Sequence, residues 1–387
     1  MDRSADILIE MIRYAVFDPE RSSDASERIS DEMLAELYMM AKRHSLTGLV
    51  GHALEAQNLF KESSVSALFQ KAIFNEIYYY EKLNYTYQML CETLENARIA
   101  FLPLKGCILR QYYPQPWMRT SGDIDLLVHK DDFSSAETVL TSALGLTKTG
   151  ETKHDVSFHS ADGIHLELHY ELIERGRAGK ACQVLERIWE HATPVQGKSY
   201  QHELDDAMFY FYHVAHMAKH FESAGCGIRM LLDLCILMES MENSRSQIDV
   251  LLREGGLQKF DNVVCDLCRV WFLGQEATVN SKKLENIILD SGTFGSRENT
   301  YIIGKRQQGG TVGFFRSKVF LPYRDLKNAY PILNKWPIFA PICTIHRWCS
   351  FLFGRKRIRL QKYFSLTQRD DAAEIEDIAN ILDMVEL

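Results

Sequence analysis

The sequence has no Gly-x-x-x-x-Gly-Lys-Ser/Thr loop and no Gly-x-Gly-x-x-Gly run between a strand and a helix, which excludes P-loop and dinucleotide-fold chemistry. Paired metal knuckles are missing too. The 9 cysteines follow no regular spacing, and the one Cys-x-x-Cys, Cys265 to Cys268, lies in a stretch that reads as helix. Without a second pair at zinc spacing, they read as buried free thiols in a reducing compartment. Positive charge is in deficit: 44 Lys and Arg against 52 Asp and Glu leave a net charge of -8. That balance carries no strong nucleic-acid signature. No apolar run reaches the roughly 20 residues of a membrane span, so no transmembrane segment is expected. The most apolar stretch, 336–353, is broken by two prolines, His346 and Arg347, and is followed by Arg355-Lys356-Arg357. It reads as a helix pair packed on the body with a basic outer face, with a membrane-surface role as the alternative. The first residues, Met1 to Asp6, are charged and the apolar positions after them are periodic, so no secretory leader is expected and the chain is placed in the cytoplasm.

What remains is a globular composition, 46% hydrophobic over 387 residues, enough for two or three lobes. Residues 1–98 read as a helical N-terminal region. Ser30 is its clearest N-cap, and one long helix is expected from Ser64 to Asn96. The period changes at 99. Short apolar runs at 99–104, 122–128, 156–159 and 164–170 alternate with helical segments, and Ala161-Asp162-Gly163 marks a hairpin. Residues 99–204 therefore form an α/β core, and 205–387 a helical C-terminal region with a loose glycine-bearing stretch from Gly292 to Gly310 and a terminal helix at 368–387. The expected fold class is α+β, a small mixed sheet framed by helices.

One constellation carries chemistry. Asp123 and Asp125 sit two apart on a strand and so project from one face, about 7 Å apart along the strand. Apolar Ile124, Leu126, Leu127 and Val128 want burial, which makes the two like charges costly unless a cation neutralises them. Hard carboxylate oxygens suit Mg²⁺ or Mn²⁺. Glu167 alternates with Leu166 and Leu168 on another strand and shares its face with His165 and His169, so it is a third ligand if the strands are neighbours. Upstream, Lys105-Gly106 stands where a strand turns into a helix, a place suited to phosphate, and Arg119 is a second cation for a triphosphate. His216 and His220, with His213 nearby, share a helical face; no Glu follows His216, so a structural or substrate-side role is favoured over zinc. Arg229 and Asp233 are expected to form an ion pair beside them.

Leu104-Lys105-Gly106, Tyr112-Tyr113-Pro114, Arg119, the run from Gly122 to Val128 and the run from Leu166 to His169 together resemble the bacterial family described as uncharacterised nucleotidyltransferases, within the polymerase-beta-like nucleotidyltransferase superfamily. The resemblance is strongest over 99–172 and looser through His216, His220 and 229–233. It implies metal ligation by Asp123, Asp125 and Glu167. It also implies nucleotide contacts around Lys105, Gly106, Arg119 and Gly122, and transfer of a nucleoside monophosphate from an NTP. The acceptor, whether small molecule, protein or RNA, is not written in these motifs. The superfamily usually carries Gly-Ser at the first turn; here the turn reads Lys105-Gly106-Cys107. Two other readings stand beside this one: an inactive nucleotide-binding or protein-interaction module, and an antitoxin-like nucleotidyltransferase acting on a protein or RNA.

Overall fold

The computed structural model of the chain describes residues 3–20, 29–60, 63–152, 154–172, 179–293, 295–330, 332–352, 380–382 and 384–385. Its first four helices are α1 (Arg3–Val16), α2 (Asp31–Arg43), α3 (Thr47–Ala56) and α4 (Ser64–Asn96). Ser30 caps α2 as expected, its hydroxyl oxygen accepting the Met33 N–H at 3.2 Å. Asp31 and Glu32 fill the first turn, and Lys42 and Arg43 the last, each complementing the helix dipole. The long helix runs over the expected span, from a Ser63 cap to Asn96.

The α/β part contains β1 (Phe101–Leu104), α5 (Gly106–Leu109), β2 (Asp123–Val128), α6 (Phe133–Leu144), β3 (Thr147–Glu151), β4 (Asp155–His159) and β5 (His165–His169). They form a mixed five-stranded sheet in the order β1-β2-β5-β4-β3. Only β2 and β5 run parallel in it; the other neighbours are antiparallel. The hairpin at 161–163 is present, with Gly163 at φ +80 and its N–H on the Ser160 carbonyl at 2.9 Å. The outermost strand, β3, escapes sequence reasoning because Thr147-Lys148-Thr149-Gly150-Glu151 is mostly exposed and has no apolar alternation.

The sheet has two different faces. Ile124, Leu126, Val128, Leu166 and Leu168 point to one side, where α4 (Leu83, Leu90, Leu94) and α6 (Ala136, Leu140) close a core over them. Asp123, Asp125 and Glu167 necessarily point to the other side. That side meets the later helices.

The chain continues through α7 (Gly179–Leu185) and a small antiparallel pair, β6 (Ala192–Pro194) and β7 (His202–Leu204). Then come α8 (Asp206–Ala224), α9 (Ile228–Ser240), α10 (Arg245–Glu254), α11 (Gln258–Leu273) and α12 (Val279–Asp290). Asp205 caps α8 through Met208 N–H at 2.8 Å. Residues from α1, α3, α8, α9 and α11 merge into the largest core. All 9 cysteines are free, and Cys265 and Cys268 are buried within α11 as read from their apolar context.

One expectation for the C-terminal part needs correction. The stretch from Gly292 to Gly310 is not loose throughout: α13 (Arg297–Gln307) forms inside it, capped by Ser296 and anchored by buried Tyr301, Ile302 and Ile303. After α14 (Thr311–Val319), α15 (Tyr323–Ala329) and α16 (Ile332–Lys335), the apolar stretch folds as α17 (Ala340–Leu352). The outward stripe of α17 is apolar, with Ile342 at 60% and Ile345 at 55% exposure, and Arg355, Lys356 and Arg357 lie outside the described residues. The inner face is occupied by a satellite core of Leu326, Leu333 and Cys343. Most of the expected terminal helix lies outside the described residues, although Ile381, Leu382 and Val385 are buried in the main core. Among the described residues no helix is long and apolar enough to cross a membrane.

One buried imidazole ties three of these helices together. His44, fully buried after α2, accepts the Ile228 N–H on Nδ1 at 3.2 Å, which leaves Nε2–H to donate to the Leu289 carbonyl at 3.3 Å. Only the neutral ring makes both bonds. Burial lowers its pKa from 6.5 to about 4. The folded state therefore takes up this proton later than the unfolded chain. The contribution is complete above pH 6.5 and is lost as pH falls toward 4, by about 3 kcal/mol in all. We expect the stability advantage of the wild type over His44→Gln, measured by urea unfolding, to shrink by this order between pH 7 and 4. An advantage that does not change with pH would contradict the assignment.

Candidate metal and nucleotide site

The parallel pairing of β2 with β5 sets Asp123 opposite His165, Asp125 opposite Glu167 and Leu127 opposite His169. The three predicted carboxylates are therefore brought together, as neighbours on one face. Two trios result: ligand-capable atoms of Asp123, His165 and Glu167 lie within 4.8 Å of one another, and so do those of Asp125, Glu167 and His169. Glu167 belongs to both. Sequence reasoning put His165 on this face but gave it no role; the register is what sets it against Asp123.

Asp125 is the most enclosed member, 1% exposed. Lys105 Nζ donates to its Oδ1 at 2.7 Å, and His169 Nε2 shares the same oxygen at 2.9 Å. Burial alone would push this carboxyl's pKa up, but the ammonium and the imidazole hold it well below the usual carboxylate range. Asp123 moves the opposite way, raised first by burial and then by the charge of Asp125. His169 is raised because its bonds to Asp125 and Glu167 outweigh burial. One lysine thus leaves the cluster with uncompensated negative charge, and Asp123 bears it. Carboxylate oxygens with adjacent imidazoles are the donor set that a hard or borderline divalent cation takes, so the residues fit Mg²⁺ or Mn²⁺.

The Lys105-Gly106 turn shows why those residue types stand there. Lys105 has φ 49 and ψ -122, a conformation that L residues rarely adopt and that costs about 1–3 kcal/mol. It ends β1 and lets α5 begin immediately, with Ile108 and Leu109 N–H both on the Lys105 carbonyl. Gly106 has no room for a side chain: a Cβ would lie 2.1 Å from Ser121 Oγ and 2.8 Å from an Arg119 nitrogen. Gly122 is different, since nothing stands within 4 Å of its missing Cβ.

Arg119 does not reach toward the carboxylates. Its Nε and Nη2 grip Asp233 of α9 at 3.2 and 2.9 Å, while Tyr113 O–H donates to the same carboxylate at 2.8 Å. The pair expected between Arg229 and Asp233 is therefore replaced: Asp233 hydrogen-bonds to Arg119 and Tyr113, and Arg229 Nη1 donates to the Thr120 carbonyl and hydroxyl, both at 3.1 Å. Thr120 O–H continues to the Ser45 carbonyl at 2.8 Å. Segment 119–121, which leads into β2, is held against α9 by charge and hydrogen bonds.

Between the acid face and these helices lies a cavity of about 460 Å³. Lys105, Asp123, Asp125 and Glu167 line one side, and His216, His220 and Arg229 the other. His216 and His220 touch through their Nε2 atoms at 3.3 Å. Burial, and then Lys105 and His220, keep the His216 pKa well below the imidazole range; burial lowers that of His220 to about 4. Both are neutral at physiological pH. Tyr212, one turn before His216, also lines the cavity and was not foreseen; its apolar neighbours on α8 mask it in the sequence.

The acids stand on two neighbouring strands, and helices roof the cavity in front of them. The family model described as uncharacterised nucleotidyltransferase matches residues 30–273, and the chain belongs to that family. The matched span covers both the acid face and the helices that close the cavity. No curated protein and no solved structure matches the chain. Membership makes nucleotidyl transfer the general chemistry and an NTP the donor class.

Arg119→Met should expose how much the α9 contact matters. Asp233 is fully buried, so the variant leaves an uncompensated carboxylate and should cost about 3–5 kcal/mol in urea unfolding. The double variant with Asp233→Leu should recover part of that loss. A single variant as stable as the wild type would show that the pair does not hold the wall.

Proposed function

We propose that the chain is a divalent-cation-dependent nucleotidyltransferase that moves a nucleoside monophosphate from an NTP to an acceptor oxygen in the 460 Å³ cavity. The observation that carries this reading is the pairing of Asp125 with Glu167 beside Asp123, with Lys105 on the same cavity wall. In the reaction the acceptor oxygen forms a bond to the α-phosphorus, the bond from that phosphorus to the bridging oxygen breaks, and pyrophosphate leaves with its electron pair. Mg²⁺ or Mn²⁺ held by Asp123, Asp125 and Glu167 would supply charge neutralisation at the attacking and leaving oxygens.

The chain's own groups divide the remaining work. Lys105 and His169 fix the Asp125 carboxylate in one orientation and keep it ionised, which makes it a ligand and a poor base. Asp123 and Glu167 are left as the carboxylates able to take the acceptor's proton. Glu167, its side chain 27% exposed against 2% for Asp125, is the more accessible of those paired residues. Arg229, whose pKa burial lowers to about 10, remains cationic and faces the acids across the cavity, where a polyphosphate would sit. Gly122 leaves its side open to that polyphosphate, Gly106 makes room for Ser121 and Arg119, and Arg119 contributes by holding segment 119–121 rather than by direct contact. His216 and His220 form the acceptor side.

The test pairs binding with turnover. Mn²⁺ titration followed by electron paramagnetic resonance should show saturable binding that Asp125→Asn and Glu167→Gln each weaken. Pyrophosphate release from an NTP, screened over small hydroxyl compounds, protein and RNA acceptors, should fall on the order of a thousandfold in Asp125→Asn, the several kcal/mol such a ligand supports. Release that survives in Asp125→Asn would refute the mechanism. NTP and Mn²⁺ binding without release on any acceptor would favour a nucleotide-binding module.

A further inference from the structure

We propose that α17 and the residues leading into it form a docking surface for an anionic lipid bilayer, lying on the membrane without crossing it. The argument starts from what α17 leaves uncovered. Cys343 turns inward onto Leu326 and Leu333, so the opposite stripe has no partner in the satellite core. Ile338, Ile342 and Ile345 stand 79, 60 and 55% exposed and, with exposed Cys349, recur at the spacing of one helical face. Trp336 and Phe339 border the stripe at 60 and 37% exposure. Such rings favour the boundary between water and acyl chains. An apolar patch of this kind is rarely left to water.

Charge selects the partner. Residues 326–369 contain nine Lys or Arg and no Asp or Glu, in a chain whose net charge is -8. Lys335 and Arg347 belong to the stripe's own neighbourhood, and Arg355, Lys356, Arg357, Arg359 and Lys362 follow it in sequence. An exposed apolar stripe followed in sequence by a run of cations matches a negatively charged headgroup layer over hydrocarbon. Nucleic acid would engage the cations and leave the exposed isoleucines in water. A second copy of the chain would bring like charge against like charge. Ile381, Leu382 and Val385 near the C-terminus are buried in the main core rather than against this stripe.

Cosedimentation of the full chain with large unilamellar vesicles tests this directly. The wild type should pellet with mixed phosphatidylcholine and phosphatidylglycerol vesicles at least about tenfold more strongly than with phosphatidylcholine alone, and added salt should weaken the binding. Ile342→Asp combined with Ile345→Asp replaces exposed residues, so circular dichroism and thermal unfolding should not change while vesicle binding falls about tenfold or more. Equal binding to neutral and anionic vesicles, or binding to neither, overturns the proposal. So does a double variant that pellets like the wild type. A solution dimer dissolved by the double variant would assign the face to a second copy instead, and preferential binding of homopolymeric RNA would assign it to nucleic acid.

Discussion

The parallel contact between β2 and β5 is the constraint on which the remaining architecture turns, because it sets three carboxylates side by side on one sheet face. The opposite face of the same strands is wholly apolar and is closed by α4 and α6. A slip of one residue would exchange the two faces, burying acids in hydrocarbon and exposing leucines. Ile124, Leu126, Leu166 and Leu168 therefore specify the acid face indirectly: packing them inward leaves the acids nowhere else to point. Hydrophobic burial supplies the free energy, and the acid cluster is positioned by it.

Gathering like charges creates the next requirement. Lys105 answers part of it by reaching Asp125 from a strained turn, and the strain is tolerated because the ion pair and the start of α5 both depend on that backbone conformation. The pair does not neutralise the cluster, as the raised pKa of Asp123 indicates. A residual negative field is thus left in a roofed cavity. The roof is held by a second buried pair, Arg119 with Asp233, which couples the segment before β2 to α9. Positioning of the acids and closure of the cavity are thus parts of one electrostatic arrangement.

Much of this was legible before any coordinates. Alternation around Asp123 and Glu167 gives strand and face together, and the Ser30 cap and the Asp162-Gly163 turn are local signals that local physics obeys. What stayed hidden has a common cause. The partner of Asp233 is 114 residues away in Arg119, so the nearer Arg229 looked sufficient. The edge strand β3 has no buried face to write an apolar period. The outward stripe of α17 has the composition of a core helix, and only its placement over Leu326 and Leu333 reveals which side is left over. Sequence patterns report which residues want burial, whereas the supplier of that burial is a property of the fold.

The two walls of the cavity differ in charge. On the sheet side the acids outnumber Lys105. On the helical side Asp233 is held by Arg119 and Tyr113, the imidazoles of His216 and His220 are kept neutral by burial and by nearby cations, and Arg229, held by Thr120, lines the same wall. A strongly anionic group is repelled by one wall unless a cation accompanies it, and is attracted by the other. A neutral hydroxyl meets two imidazoles that can donate and accept hydrogen bonds without a charge penalty. Charge therefore changes across the width of the cavity, from the acid cluster on the sheet side to Arg229 and two neutral imidazoles on the helical side.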